Sequence, residues 1–242
     1  MTRVRESILA GLIIAVAAAA SGCGGSAAKP QAPAVSPTAK TSASPSSGLA
    51  NGVPTASPPH GYKWAGSAAQ GVWFAVPNRW AAVNLAKLSV TQAMRRFEPK
   101  GMSGSFMKTA LSQLSRQHAI FVADLASAVR SPHQFATNGN AFCVSTPLAP
   151  GTSSSPALKA AVRAQYAQLG AHVLALTDAT IDGRAGIKAK TAITTATGMT
   201  LTEAQYIVLT KNGRLCTITL TTDNAARFQR TFSKIGRTIL TP

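Results

Sequence analysis

Apolar and polar positions alternate through four β-prone stretches between residues 172 and 222, "HVLALTDAT", "AGIKAKTAITT", "EAQYIVLT" and "RLCTITLTT". Thr, Ile and Val recur in them, and the connecting "IDGR" and "KNGR" supply turn residues. The pattern predicts an antiparallel meander, with "ATGMTLT" left unresolved. The Asn212-Gly213 pair predicts a two-residue type I′ hairpin, which requires positive φ at both positions.

Before the meander the apolar period changes. In "SVTQAMRRF" Ser89 stands where an N-cap belongs, and Val90, Ala93, Met94 and Phe97 recur at i, i+3, i+4 and i+7 before Pro99. That spacing predicts a helix with Arg95 and Arg96 facing water. Met107, Ala110, Leu111 and Leu114 predict a second helix through "SFMKTALSQLSR". "AIFVADLA" and "NAFCVST" read as strands. "SPALKAAVRAQYAQLG" reads as a helix with Pro156 in its first turn, an apolar face of Leu158, Ala161, Val162, Gln165 and Leu169, and Gly170 as terminator.

The flanks complete the order. "GVWFAVPNRW" predicts an opening strand through Trp73, Phe74 and Val76, stopped by Pro77, with Trp80 as a large apolar cover for a sheet edge or helix. "DNAARFQRTFSKIGRTIL" predicts a closing helix capped by Asp223, its stripe formed by Ala226, Phe228, Phe232, Ile235 and Ile239. The expected fold class is α+β: a central, mostly antiparallel sheet flanked by helices.

The stretch "VWFAVPNRWAAVNLAKLSVTQAM" is similar to the strand, Val-Pro-x-x-Trp turn and helix that begin the actinobacterial LpqN-type cell-envelope lipoproteins, which share a fold with PsbP-like domains. "IDGRAGIKAK", "AQYIVLTKNGRLCTITLTT" and "FQRTFSKIGRTI" resemble the late hairpins and last helix of that fold. The resemblance implies an α/β/α sandwich, association with the envelope, and binding with no established chemistry. It is weakest over about residues 100 to 170.

The first 60 residues belong to a different physical class. Arg3 and Arg5 precede an apolar run from Ile8 to Ala20, and its 13 residues fall short of the roughly 20 a membrane span needs. Ala20, Ser21, Gly22 and Cys23 follow. A basic start, short apolar core and small-residue box ending in Cys resemble the bacterial lipoprotein signal. In that reading residues 1–22 are removed and the Cys23 thiol is acylated; the alternative is an uncleaved anchor helix with an incidental Cys. Gly24 to His60 hold seven of the chain's fourteen prolines among Ala, Ser, Thr and Gly, too few large apolar groups for a core. Residues 23–60 are therefore expected to form a disordered tether, with composition compatible with O-glycosylation, and residues 61–242 a single domain. The expected location is the extracytoplasmic face of the cell membrane, held by lipid.

Charge narrows the partners. The chain has a net charge of +17, and the part from Gly61 onward has 20 Lys and Arg against six Asp and Glu. Outside the membrane such a surface attracts anionic lipid, acidic wall polymer or an acidic envelope protein, unless the charges serve only solubility. Nucleic acid is not an expected partner, because export separates the two and no basic-aromatic recognition motif occurs.

With Cys23 acylated, Cys143 and Cys216 remain, both in predicted strands of an exported domain where a disulfide can persist. The other possibility is two separate buried thiols. Catalytic signatures are missing: "GMSGS" ends in Ser where a nucleophile elbow needs Gly, and no His-Glu-x-x-His, Cys-x-x-Cys or Gly-x-x-x-x-Gly-Lys occurs. His118, His133 and His172 are far apart, and Asp178 and Asp182 flank a turn, where capping explains them better than acid-base work. No cofactor, metal or enzymatic activity is expected. Trp64, Trp73, Trp80, Arg79 and Arg95 could form a binding surface or simply pack and solvate, so they define no site. The resulting function is binding or accessory work at the envelope; alternatives are a carrier of an apolar ligand such as a glycolipid, and an envelope hydrolase.

Overall fold

The computed structural model describes residues 49–97, 111–146, 148, 156–195 and 198–241. Cys23, the signal segment, most of the tether and residues 105–110 of the second expected helix lie outside the described residues. In chain order the elements are β1 (Leu49–Ala50), β2 (Val53–Pro54), β3 (Tyr62–Ser67), β4 (Val72–Pro77), β5 (Ala81–Asn84), α1 (Val90–Phe97), β6 (Ile120–Asp124), α2 (Leu125–Arg130), β7 (Thr137–Ser145), α3 (Pro156–Gln168), β8 (His172–Ile181), β9 (Arg184–Thr194), β10 (Thr200–Leu209), β11 (Arg214–Thr222) and α4 (Ala225–Gly236). Residues 111–116 are also helical.

Seven strands form one sheet in the order β5-β6-β7-β11-β10-β9-β8, antiparallel at every pairing. The domain is therefore α+β around a mostly antiparallel sheet. Side-chain alternation sends successive residues to opposite faces. On one face Ala141, Cys143, Tyr206, Val208, Cys216, Ile218 and Leu220 pack beneath the β3–β4 hairpin, Trp80 and the Phe228-Phe232-Ile235 stripe of α4. The other face carries two separate apolar clusters. Phe121, Ala123 and Phe142 meet Val83, Leu85, Ala93, Leu111 and Leu114. Ile187, Ala189, Ile207, Leu209 and Leu215 meet Leu158, Val162 and Tyr166 of α3.

Local chemistry explains where the elements start and stop. Ser89 and Gln92 form a reciprocal capping box on α1, each side chain bonded to the other's backbone N–H at 3.2 and 2.9 Å. The expected strand over "AIFVADLA" ends at Asp124 and α2 begins at Leu125. There the Ser127 hydroxyl donates to Asp124 O at 2.6 Å and accepts from Thr137 N at 2.7 Å, closing the corner into β7. On α3 the buried row is Leu158, Val162 and Tyr166, whereas Ala161 and Leu169 face solvent. The cap of α4 is Asn224, whose side chain accepts from Arg227 N at 3.1 Å, rather than Asp223, which the Ser131 hydroxyl engages.

Two further expectations are corrected. The Asn212-Gly213 hairpin is not type I′: Gly213 has φ 68, but Asn212 is not among the positive-φ residues. Thr210 and Arg214 close the loop, with Thr210 N donating to Arg214 O at 2.8 Å and Gly213 N to Thr210 O at 3.2 Å. This leaves a three-residue loop with glycine in the left-handed position. The positive pair occurs instead at Asp182 and Gly183, φ 51 and 73, between paired Ile181 and Arg184. Residues 49–60, assigned by composition to the tether, lie on the domain. The Trp73 indole donates to Gly52 O at 2.8 Å and the Trp64 indole to Ala56 O at 3.0 Å, so two half-buried rings hold a segment with little apolar content of its own.

Candidate functional site

On the α4 side, the helix covers β10 and β11 but leaves β9 partly open. The alternating "KAK" of β9 places Lys188 and Lys190 on this face, one each side of Ala189, which is buried on the other. A groove of about 90 Å³ runs between these lysines and the helix, with Tyr206 and Ala204 in its floor and Gln229 and Ser233 on its α4 wall. Small residues make the room: Ala204, Thr202 and Ala225 all line it. The Lys188 ammonium lies 5.6 Å from the centre of the Tyr206 ring, a favourable position over an aromatic face. Tyr206 is fixed by donating to Phe232 O at 3.3 Å, and burial pushes its phenol above the usual value.

The aspartates of the described residues are all engaged elsewhere. Asp124, 1% exposed, meets Arg79 at 3.2 Å and Arg130 at 3.8 Å. Asp178 meets Lys159 at 2.7 Å. Asp182 accepts from Thr241 N at 2.8 Å and lies 3.8 Å from Arg184. Asp223 holds Ser131. Glu203 borders the groove floor, but its carboxylate points to the opposite face of the sheet, where it accepts from Thr191 at 3.4 Å and Thr221 at 3.3 Å. The groove is therefore cationic, with donors on both walls.

Glu203 belongs to a polar row that interrupts the apolar pattern on that opposite face. The register runs Thr191, Glu203, Thr221 across β9, β10 and β11, and beside it Ala189, Gln205, Thr219, Asn140 across β9, β10, β11 and β7. Gln205 donates to Thr219 at 3.1 Å, while Gln205 Oε1 and Asn140 Oδ1 have no hydrogen-bond partner among the described residues. Burial pushes the Glu203 carboxyl up to about 7, against the smaller downward pull of the Thr221 and Thr191 hydroxyls. Burial, and then the nearby Glu203 charge, raise the Tyr166 phenol far above its ordinary value.

The candidates picked from the sequence do not converge on the groove. Trp80 is fully buried and packs against Phe228, with ring centres 6.4 Å apart. Trp64 and Trp73 hold the 49–60 segment, Arg79 serves the Asp124 carboxylate, and Arg95 is exposed on α1. His118, His133 and His172 are exposed. Among the described residues no three His, Cys, Asp or Glu side chains group as metal ligands. Cys143 and Cys216 stand opposite each other in the β7–β11 register and are bonded. No described helix is long and apolar enough to cross a membrane. Sequence reasoning missed Lys188, Lys190 and Glu203; the period-two Lys-Ala-Lys inside a predicted strand was a signal for the first two.

No protein-family model matches the chain, and no curated protein is similar to it. Among solved structures, the chain is similar to the solution structure of cyanobacterial PsbP (CyanoP) from Synechocystis sp. PCC 6803. The identity is 14% and the TM-score 0.44, over 75% of this chain and 93% of that one.

Proposed function

We propose that the chain is a lipid-anchored, extracytoplasmic binding or accessory protein of the bacterial cell envelope. One observation carries this reading: a basic start, a short apolar core and Ala20-Ser21-Gly22-Cys23 occur in that order directly before a proline-rich stretch. Acyl chains on Cys23 supply the anchor, each buried methylene contributing about 0.8 kcal/mol, so two or more chains hold the protein firmly. The tether lets the domain search the space above the membrane.

Binding, rather than turnover, suits a groove furnished with two ammonium groups, an amide and a hydroxyl. Elements on both faces of the sheet support grouping the domain with PsbP-like α/β/α sandwiches. The turn at Pro77, where Trp80 N donates to Pro77 O at 2.9 Å and sends the indole into the core, supports the LpqN-type resemblance. A groove of about 90 Å³ favours seating a headgroup over enclosing the acyl chains of a glycolipid, for which a pocket of several hundred Å³ is usual.

Fractionation of cells expressing Cys23→Ala tests the location. The variant is expected to remain unlipidated and to leave the membrane fraction. Retention of the variant through an alkaline wash would overturn the anchor.

A further inference from the structure

The geometry points to the groove between β9 and α4 as a binding site for a phosphate-bearing group, held by Lys188 and Lys190 on one wall and by Gln229 and Ser233 on the other. This deepens the binding reading above and does not depend on the anchor.

Three observations carry it. Lys188 and Lys190 share one face of β9, two residues apart, and border one cavity. A pair of ammonium groups so placed repel each other unless an anion lies between them. Asp124, Asp178, Asp182 and Asp223 are bound to partners elsewhere, and Glu203 borders the groove floor but has its carboxylate held on the far face of the sheet by Thr191 and Thr221. Neither lysine therefore forms an ion pair with a carboxylate among the described residues. The opposite wall supplies neutral donors: Gln229 and Ser233 are one turn apart on α4 and face the cavity together. A tetrahedral phosphate has acceptor oxygens enough for both walls, and charge-assisted bonds to it are the strong kind. The small residues Ala204 and Thr202 in the floor leave space for the oxygens, and the groove opens at the sheet face, so a group attached to the phosphate can extend outward over β9 and β8.

The phosphate could come from a lipid headgroup or from a soluble polymer. Both are tested on the mature, full-length protein in a zwitterionic detergent, with titration calorimetry as readout. One arm adds soluble glycerol phosphate; the other adds phosphatidylglycerol in mixed micelles, with phosphatidylcholine as blank. The variants are Lys188→Ala with Lys190→Ala, and, as a charge-matched control on other surfaces, Arg163→Ala with Lys211→Ala. Both control residues are exposed.

The native protein is expected to bind, and the groove pair to weaken binding by about tenfold or more while the control pair changes it by less than about twofold. Binding of soluble glycerol phosphate supports the site with a soluble source; binding only to phosphatidylglycerol micelles supports it with a headgroup source. No binding in either arm, or equal losses in the two double variants, overturns it. Because detergent replaces the membrane, this outcome is independent of whether Cys23→Ala leaves the membrane fraction.

Discussion

The side-chain carbonyl of Gln70 accepts the backbone N–H of Cys143 at 3.1 Å, in the position that a neighbouring strand would occupy. Cys143 lies two residues beyond the last β6–β7 pairing, Ile120 with Ala141, so its N–H and C=O face no strand. Arg214 takes the carbonyl, donating to Cys143 O at 2.9 Å and to Ala69 O at 3.1 Å, while the Gln70 amide donates to Gln117 O at 3.3 Å. The β3–β4 turn is thus fastened to the centre of the sheet by side chains that replace a strand. Gln70→Ala leaves a buried N–H without an acceptor, an expected loss of about 1–3 kcal/mol. Urea denaturation checks it, and an unchanged midpoint would show that the contact contributes nothing net.

Beside that contact, the Cys143–Cys216 bond joins residues 73 apart in sequence. Removing it releases a loop of that length in the unfolded chain, which the loop-entropy relation sets at roughly 4 kcal/mol. The double variant Cys143→Ala with Cys216→Ala is expected to unfold at clearly lower denaturant, since both side chains also leave the core. Mass spectrometry after alkylation without reductant supplies the chemical check: the native protein should lack free thiols at 143 and 216.

How far the sequence could be read follows from where each signal resides. The four meander strands and the closing helix came through because alternation and the Phe228-Phe232-Ile235 stripe are local and repeated. The corner at Asp124 was missed because it depends on Ser127 bonding to Thr137, ten residues away. Asn212-Gly213 suggested the wrong turn because a pair favours a geometry only when strand register allows two loop residues; here Thr210 and Arg214 pair and leave three. Residues 49–60 looked like tether because the groups that hold them, Trp64 and Trp73, lie outside that segment. The groove was hidden for a different reason. Lys188 and Lys190 are ordinary among 24 cationic residues until topology shows which surface α4 leaves open and where the carboxylates point.

Gly236 closes α4 directly over the Tyr206 ring. A Cβ there would meet Tyr206 Cζ at 2.2 Å and its hydroxyl oxygen at 2.3 Å. In an exposed helix Gly→Ala stabilises by about 1 kcal/mol through propensity alone. The collision reverses the sign, because Tyr206 is tied to Phe232 O and cannot withdraw without breaking that bond. Gly236→Ala is therefore expected to destabilise by about 1–3 kcal/mol, as overpacked cores do. Calorimetric melting checks it, and a raised Tm would mean that the ring moves freely.

Glu203 gives the domain a pH dependence of unusual sign for a carboxyl group. Its pKa is about 7 in the folded protein against 4.5 for the ordinary group, with burial as the main cause. Between these values the folded state holds a proton that the unfolded state has lost, so stability falls as pH rises from about 4.5 through 7. The shift corresponds to a difference on the order of 3 kcal/mol between the two limits. The comparison is best made against a variant that cannot ionise at this position. Glu203→Gln keeps the shape and can still bond the Thr191 and Thr221 hydroxyls without carrying charge. The variant is expected to match the native protein near pH 4 and to exceed it by a margin that widens from about pH 4.5 and levels off above pH 7. Tyr166 stays neutral across that range, since burial and the Glu203 charge both raise its phenol, so it contributes no competing slope. Urea unfolding of both proteins across pH 4 to 8 measures the gap directly, and parallel curves would show that the carboxyl titrates as it does in water.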